Sequence, residues 1–526
     1  MQKYISVPAW AGALAGLTAG GVALGLAQLV AGLFGPQTSP VIAVGDGVVD
    51  LTPAPVKDFA ITTFGENDKT VLVWGVLVLL AVVAAVIGVL ARRRLAYGMA
   101  GLAAFAVVGL VAVVTRPGAS VVDILPTLAG AAGGMWTLAW LLRRATVPAV
   151  SEAPSGEAER PAVMRGSGEP STFDRRRLLT GVAGGVVVAG VGAVAGSRLA
   201  GSRAVDIARV NVALPAPATP AKPIPAGADL RIGGLSSFVT PNRDFYRVDT
   251  ALVVPQVDPE SWKLRIHGMV DRPVEITYAD LLRMPLTEAD VTLTCVSNEV
   301  GGRLVGNARW LGVRMSEILR RAGLRSDADM LLSTSADGFT CGTPVDVVMD
   351  GREALFAIAM NGEPLPVEHG FPVRQVVPGL YGYVSATKWV VDVKVTRFDR
   401  DEAYWTPRGW AAKGPIKTQS RIDVPGSGAS LKPGRTTIAG VAWAQHKGVA
   451  AVEVRMDGGA WREAKLADVP GPDTWRQWSL DWDATPGSHT LQVRATDTTG
   501  YTQTEQEAPP APDGATGWHT ITVRVA

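Results

Sequence analysis

Val291-Thr-Leu-Thr-Cys295-Val-Ser-Asn298-Glu-Val-Gly-Gly-Arg-Leu-Val-Gly-Asn-Ala-Arg309-Trp310-Leu-Gly-Val-Arg-Met-Ser-Glu-Ile-Leu319 is the stretch on which the reading of this chain turns. Its first four residues are β-rich and form a short strand that delivers Cys295 at its end. A loop punctuated by Gly301, Gly302 and Gly306 follows. From Val313 to Leu319 the pattern turns helical, with Ser316 and Glu317 near the start. A thiol at a strand end, opposite such a loop, is well placed to meet whatever the loop encloses. The bland alternative stays open, because a single cysteine is most often a small buried hydrophobe.

A second run lies downstream: Met360-Asn-Gly-Glu-Pro-Leu-Pro-Val-Glu-His369-Gly-Phe-Pro-Val-Arg374-Gln-Val-Val-Pro-Gly379, then Thr387-Lys388-Trp389. Together with Thr-Cys295-Val-Ser-Asn298 and Ala-Arg309-Trp310, it resembles the molybdopterin-binding domain of the sulfite oxidase family, in a membrane-anchored bacterial form. The resemblance runs from about Phe238 to the C-terminus, more than half of the chain. It implies that the Cys295 thiolate binds molybdenum and that His369, Arg374 and Lys388 hold the pterin phosphate, with Thr387 beside them. By the same resemblance the segment from Pro241 to Asp249 lines the cofactor, through Asn242, Tyr246 and Arg247. Asn298 and Asp337 fall at cofactor-contacting positions, and Arg247 and Arg309 remain as cationic groups for catalysis.

The residue types fit that chemistry. A soft thiolate suits a redox metal, and most of the remaining coordination would come from the pterin dithiolene and oxo groups. An anionic phosphate away from bulk water needs a planar guanidinium and an ammonium, which Arg374 and Lys388 supply.

The totals bound the rest. A chain of 526 residues is too long for one ordinary domain. Its 47% hydrophobic content points to membrane segments, and a net charge of +2 without a basic run gives nucleic-acid binding no support. Two cysteines, Cys295 and Cys341, exclude a disulfide framework and a four-cysteine zinc site, although one disulfide between them stays possible.

Residues 7–34, 71–91, 95–115 and 119–142 are apolar and long enough to cross a bilayer of about 30 Å. Asp123, near the start of the fourth, reads as a solvated helix-end carboxylate. Arg92–Arg94 and Arg143–Arg144 belong on the cytoplasmic side, which places the N-terminus inside. Residues 145–172 read as a disordered cytoplasmic linker. Arg175-Arg176-Arg177-Leu-Leu then precedes a fifth, Gly-rich apolar segment, which resembles a twin-arginine export signal placed internally as well as a positive-inside anchor. Either reading puts everything after residue 200 outside the membrane.

The expected fold is therefore multi-domain: an N-terminal all-α transmembrane segment, an α+β molybdopterin-binding domain and a C-terminal all-β immunoglobulin-like sandwich. Four helices fill residues 1–144, a linker 145–177 and a fifth span 178–200. A Pro-rich spacer over 201–228 holds the catalytic domain (229–425) away from the bilayer. Strands at 437–444, 451–456, 475–482, 489–496 and 518–525 build the sandwich, 426–526. The family resemblance implies that this last domain dimerises.

Departures from the family limit the function. Sulfite oxidases follow the cysteine with Ala-Gly-Asn-Arg-Arg and hold their anionic substrate with the last arginine; here Asn298-Glu299-Val300 stand there. The family's active-site tyrosine is also missing from the connector, where Trp410 and Lys413 stand. Sulfite is therefore not assigned. The leading reading is membrane-anchored, two-electron oxygen-atom transfer with a small oxo-donor or oxo-acceptor. Its rival is a tethered binding module that has lost the cofactor. All five histidines, His267, His369, His446, His489 and His519, follow the last span, and the four N-terminal spans hold no cysteine. No haem is expected there, and electrons are expected to pass through a separate protein.

Overall fold

Glycine and alanine decide how the N-terminal helices meet. A computed structural model of the chain describes residues 7–35, 38–52, 56, 68–116, 120–148, 171–199 and 202–526. It resolves into two units, Met1–Arg203 with Ala251–Gln256, and Ala204–Thr250 with Val257–Ala526. The first holds α1 (Ala9–Phe34), α2 (Pro40–Leu51), α3 (Asp68–Ala91), α4 (Leu95–Val114), α5 (Leu125–Arg144) and α6 (Arg175–Leu199). All except α2 are long and apolar enough to cross a membrane. The 12-residue α2 falls in the interval between the first two apolar segments.

Within this unit α1 is the hub, packed against α3, α5 and α6. A Cβ on Gly16 would lie 2.0 Å from the Ala84 carbonyl oxygen of α3, and one on Gly25 would lie 2.5 Å from that of Ala189 on α6. Only glycine lets these backbones come so close, the device by which helices pack where lipid gives no hydrophobic drive. At one end Trp10 packs edge-on against Phe173 and lies under the Arg175 guanidinium. Asp123 accepts from the backbone and hydroxyl of Ser120 and so caps the turn before α5. Most of the linker, residues 149–170, lies outside the described residues. Its ends are not irregular: β1 (Thr146–Pro148) pairs antiparallel with β2 (Ser171–Phe173).

The second unit opens with α7 (Ser202–Val210). The Pro-rich spacer expected over 201–228 thus opens with a helix. After α7 the proline-rich run lies along the domain, where Thr219 N–H donates to Leu286 O and Glu288 N–H donates to Thr219 O. Prolines cannot donate to a ladder, but the few N–H groups between them suffice to strap the segment to a strand edge.

Two sheets build the central domain. One, β4-β3-β12-β7-β8, contains β3 (Lys263–Gly268), β4 (Val274–Thr277), β7 (Met330–Ser335), β8 (Thr340–Pro344) and β12 (Val390–Thr396), with β3 and β12 parallel. The other, β10-β9-β6-β5 with β11 on β9, contains β5 (Thr287–Thr294), β6 (Val305–Arg314), β9 (Leu355–Met360), β10 (Glu363–Pro364) and β11 (Arg374–Val376). Helices α8 (Tyr278–Arg283), α9 (Met315–Ala322) and α10 (Val345–Met349) complete it. Thr277 and Asp280 close a capping box on α8, and Gly323 ends α9 at φ +73°. The core joins Trp262, Leu264 and Ile266 of one sheet region to Val313, Phe356 and Ile358 of the other.

β6 corrects the sequence reading of this region. The loop after Cys295 ends at Leu304, and Gly306 and Gly312 lie inside a ten-residue strand. They are there for close approach: a Cβ on Gly312 would sit 2.2 Å from Phe356 O, and one on Gly306 2.8 Å from the Phe245 ring.

A four-stranded sheet, β13-β15-β19-β18, faces a five-stranded one, β14-β21-β20-β16-β17. The strands are β13 (Gln419–Val424), β14 (Ser430–Leu431), β15 (Gly434–Trp443), β16 (Val449–Met456), β17 (Arg462–Glu463), β18 (Lys465–Leu466), β19 (Arg476–Ala484), β20 (Gly487–Asp497) and β21 (His519–Val525). Alternate residues such as Val452, Val454, Leu491 and Val493 turn inward as a sandwich requires. The sequence reading starts the sandwich at 426, but β13 pairs with β15 along its length, so the sandwich begins earlier.

Candidate active site

Antiparallel pairing of β5 with β6 carries Thr294 opposite Val305 and leaves Cys295 at the mouth of the turn between them. The turn is closed by its own backbone: Cys295 N–H donates to Leu304 O, and Asn298 N–H to Cys295 O. Asn298 is buried, and its side-chain oxygen accepts from Leu304 N–H at 2.8 Å. Its side chain shapes the turn instead of reaching into the pocket. Cys295 is 8% exposed, and burial pushes its thiol up, while hydrogen bonds from Ser297 and the Lys388 charge draw it down.

The downstream motif gathers around this thiol. Arg374 begins β11, 5% exposed, with its guanidinium 4.9 Å over the Trp310 ring. Its Nη1 donates to His369 O, while its buried Nε has no partner among the described residues. Burial lowers Arg374 to about 10. Lys388, 9% exposed, donates to Asp249 at 2.8 Å and to Glu368 O at 3.0 Å. Burial lowers it to about 8, against the pull of Asp249. Trp389 follows at φ +49°, a costly conformation for a bulky residue, and is held there by its indole N–H on Val367 O. That turn aims Lys388 at the same pocket.

His369 is buried and its Nε2 lies 3.0 Å from Asn242 O, an acceptor, so Nε2 carries the proton. Burial, then the charges of Arg374 and Lys388, lower it to about 4. Phe245 links the groups, edge-on to both Trp310 and His369 and stacked on Tyr246. The Tyr246 hydroxyl lies 3.8 Å from where a Cβ on Gly382 would be, and that point is 3.7 Å from Thr294 O. Burial and the Cys295 charge raise the phenol well above its usual range. Arg247 pairs with Asp249 at 2.9 Å.

The other predicted residues stand differently. Asp337 sits at the rim, accepting from Phe339 N–H, with Thr250 Oγ1 at 3.5 Å. Thr387 points away from Lys388, its hydroxyl 2.7 Å from Ser333 in a buried cluster. The Asn242 side chain is committed to Asn361 and Glu363, and only its carbonyl reaches the site. Arg309 is the clearest correction. It follows Ala308 and precedes Trp310 on β6, so it projects from the face opposite Trp310, where Asp290 grips it at 2.9 and 2.8 Å. An arginine so paired is not a free pocket cation. Trp410 packs against Tyr383, and Lys413 is exposed over the Phe398 ring. Cys341 and Cys295 are both free, which removes the disulfide alternative.

Sequence reasoning missed Asp249, with a side chain only 4% exposed, which pairs with Lys388 and Arg247 together. Its position two residues after Arg247 was the available signal. A hollow of 410 Å³ lined by Glu275, Asp280, Arg283 and Arg321 touches none of these residues.

The donor set fits an anionic cofactor with a soft metal. Arg374 is buried with an unused N–H, Lys388 is buried against the single acid Asp249, and the Cys295 thiol feels the Lys388 charge.

Known proteins resemble this chain. Residues 251–405 match the oxidoreductase molybdopterin-binding domain, and residues 419–493 match a bacterial Ig domain. The chain is 32% identical over 293 residues to mitochondrial sulfite oxidase of Rattus norvegicus, covering 46% of this chain and 53% of that protein. It is 33% identical over 157 residues to the uncharacterized oxidoreductase YuiH of Bacillus subtilis, covering 30% of this chain and 76% of that one. Among solved structures, the sulfane dehydrogenase SoxCD from Paracoccus pantotrophus aligns with 27% identity and a TM-score of 0.48, over 55% of this chain and 83% of that chain. The chain spans about half the length of the sulfite oxidases it matches. It belongs to the sulfite oxidase family of molybdopterin-dependent oxidoreductases. An enzyme of that family carries the molybdenum cofactor.

Proposed function

We propose that this chain is a membrane-anchored, extracytoplasmic oxidoreductase whose molybdenum is ligated by Cys295. The observation that carries the reading is the placement of the Cys295 thiol at a strand end beside the buried Arg374–Lys388–His369 set. When bound, the cofactor supplies two-electron oxygen-atom transfer. The protein's part is to hold it. Arg374, with one N–H unspent, and Lys388 counter the cofactor's phosphate, while neutral His369 gives its one N–H to Asn242 O and adds no charge. Asp249 keeps Lys388 and Arg247 from repelling each other. Tyr246 stays protonated and offers a hydroxyl near the thiol.

Sulfite is not the substrate we assign. The family's anion-holding arginine is replaced by Val300, beside the exposed Glu299, and Arg309 is already spent on Asp290. That wall is poor at holding a dianion. The substrate is a small oxo-donor or oxo-acceptor, and electrons pass to or from a separate protein, with homodimerisation through the sandwich. Five apolar helices and the Arg92–Arg94, Arg143–Arg144 and Arg175–Arg177 clusters support an inside N-terminus and an outside catalytic part.

Metal and pterin analysis of the purified chain, made with cofactor synthesis intact, tests the core of this. Stoichiometric molybdenum without a haem Soret band is the expected result. A metal-free chain would instead be a tethered binding module. For the anchor, Arg175, Arg176 and Arg177 all changed to Lys should block export while leaving four spans inserted. Normal protease exposure of the catalytic part in spheroplasts would leave only the positive-inside anchor.

A further inference from the structure

The C-terminal sandwich grips both flanks of Cys295. Ahead of it, Gln445 Nε2 donates to Thr292 O and to Thr294 Oγ1, each at 3.0 Å, and Trp475 N–H donates to Thr292 Oγ1. Thr292 N–H in turn donates to Asp473 O. Thr292, Thr294 and Gln445 are all buried. Beyond the thiol, Arg421 of β13 reaches the turn. Its Nη1 donates to Gly302 O at 2.8 Å, its Nη2 to Ser236 Oγ at 2.9 Å, and its Nε to Asp423 at 2.6 Å.

Arg421 and Asp423 are each 8% exposed, and a buried ion pair is an expensive way to join two segments. It persists here with every arginine nitrogen engaged, one of them on the backbone of the turn that follows Cys295. Gly301, at φ +77°, brings the same turn against His519, where a Cβ would stand 2.3 Å from the imidazole. That ring is fixed, because its Nδ1 accepts from Ile422 N–H at 2.9 Å. The turn is braced within itself, Gly302 N–H on Glu299 O and Leu304 N–H on Asn298, so it moves as one piece with whatever anchors it.

We infer that the sandwich is the second half of the scaffold for the metal ligand, and that Arg421 is a positioning residue that sets Cys295 through the Gly302 carbonyl. This rests on the reading of Cys295 as that ligand. Lysine cannot replace it, because one ammonium cannot span Asp423, Ser236 and Gly302 at once. The turn is then free to move, and the thiolate with it.

The test uses the full-length holoenzyme, with Arg421→Lys and the double variant Arg421→Met/Asp423→Leu. The second removes both charges, so that no unpaired carboxylate is left buried. Molybdenum and pterin content, the thiolate-to-metal absorption band, the Mo(V) paramagnetic resonance spectrum and steady-state kinetics are measured. Both variants should fold and keep the pterin, shift the absorption band and the resonance, and lose about tenfold in kcat with a smaller change in KM. Wild-type spectra in both metal-loaded variants would overturn the inference. A wild-type chain without molybdenum would overturn the reading beneath it, and the inference with it.

Discussion

Cys295 and Cys341 are both buried, both unpaired, and both carry thiols pushed up by burial, yet they live in opposite surroundings. Cys295 ends a strand and feels Lys388 and Ser297. Cys341 lies inside β8 with no exposure, among Thr343, Thr387 and Ser333. Those hydroxyls satisfy one another and nearby carbonyls: Ser333 donates to Cys341 O, and Thr343 to Val384 O. No charge faces the second thiol from this cluster. Burial alone therefore does not make a cysteine reactive or a ligand; a nearby cation and an opening at the end of an element do.

The largest expected effect sharpens that contrast. Cys295→Ser should abolish turnover, because a hydroxyl is a harder and poorer ligand than a thiolate for this metal. Full activity of the purified Ser variant with molybdenum still bound would break the comparison at its root.

A second test uses acid. His369 near Cys295 is lowered to about 4 from an unfolded value of 6.5, and so is His519 behind the Cys295 turn. A depressed histidine is neutral in the fold, so its contribution is fully present above pH 6.5. It is lost as pH falls toward 4, because the unfolded chain takes up the proton first. His369 should therefore cost roughly 3 kcal/mol of stability across that window in the cofactor-free protein. His369→Gln should remove about half of the two-histidine slope, read by denaturant titration at each pH. Cys341→Ser should leave the slope unchanged, since only hydroxyls and an amide surround it. An unchanged slope in His369→Gln would place the titration elsewhere.

The smallest effect is on the quiet thiol itself. Cys341→Ser should keep molybdenum content and turnover near wild type while lowering stability by about 1 kcal/mol, measured by thermal denaturation. A lost metal centre in that variant would mean the two cysteines are not separable.

Much of this site was legible through the family resemblance of two motifs in order along the chain. Cys295, His369, Arg374 and Lys388 fall in those motifs, and the structure gathers them. What could not be read is the choice between partners. Asn242 and Asn298 look like ligand-binding amides in sequence, but each found a backbone or side-chain partner within its own fold. Arg309 found Asp290 because pairing of β5 and β6 sets the two residues directly opposite, a fact of register that no local pattern contains. Gly306, expected in the loop, lies in β6 for the same reason. A glycine needed for flexibility and one needed for close approach have the same letter, and only the neighbour, Phe245 or Phe356, tells them apart. The five longest sandwich strands alternate cleanly and are legible, whereas β13 and the two-residue β14, β17 and β18 are not, and the spacer's attachment depends on single N–H groups between prolines and leaves no pattern.

The glycine faces of α1 also set a timetable. Its contacts with α3 and α5 join helices made soon after it, but Gly25 meets Ala189, and Gly32 meets Gly196, on α6, the last helix of the unit to be synthesised. A strip of α1 backbone must therefore stay uncovered, or borrow a temporary neighbour, while three more long helices and the linker are being made. The slot is shaped for one occupant, because any side chain larger than hydrogen at Gly25 or Gly32 would run into the α6 backbone. Filling it is the final step in building the bundle, and the segment that fills it is the one that carries the three consecutive arginines.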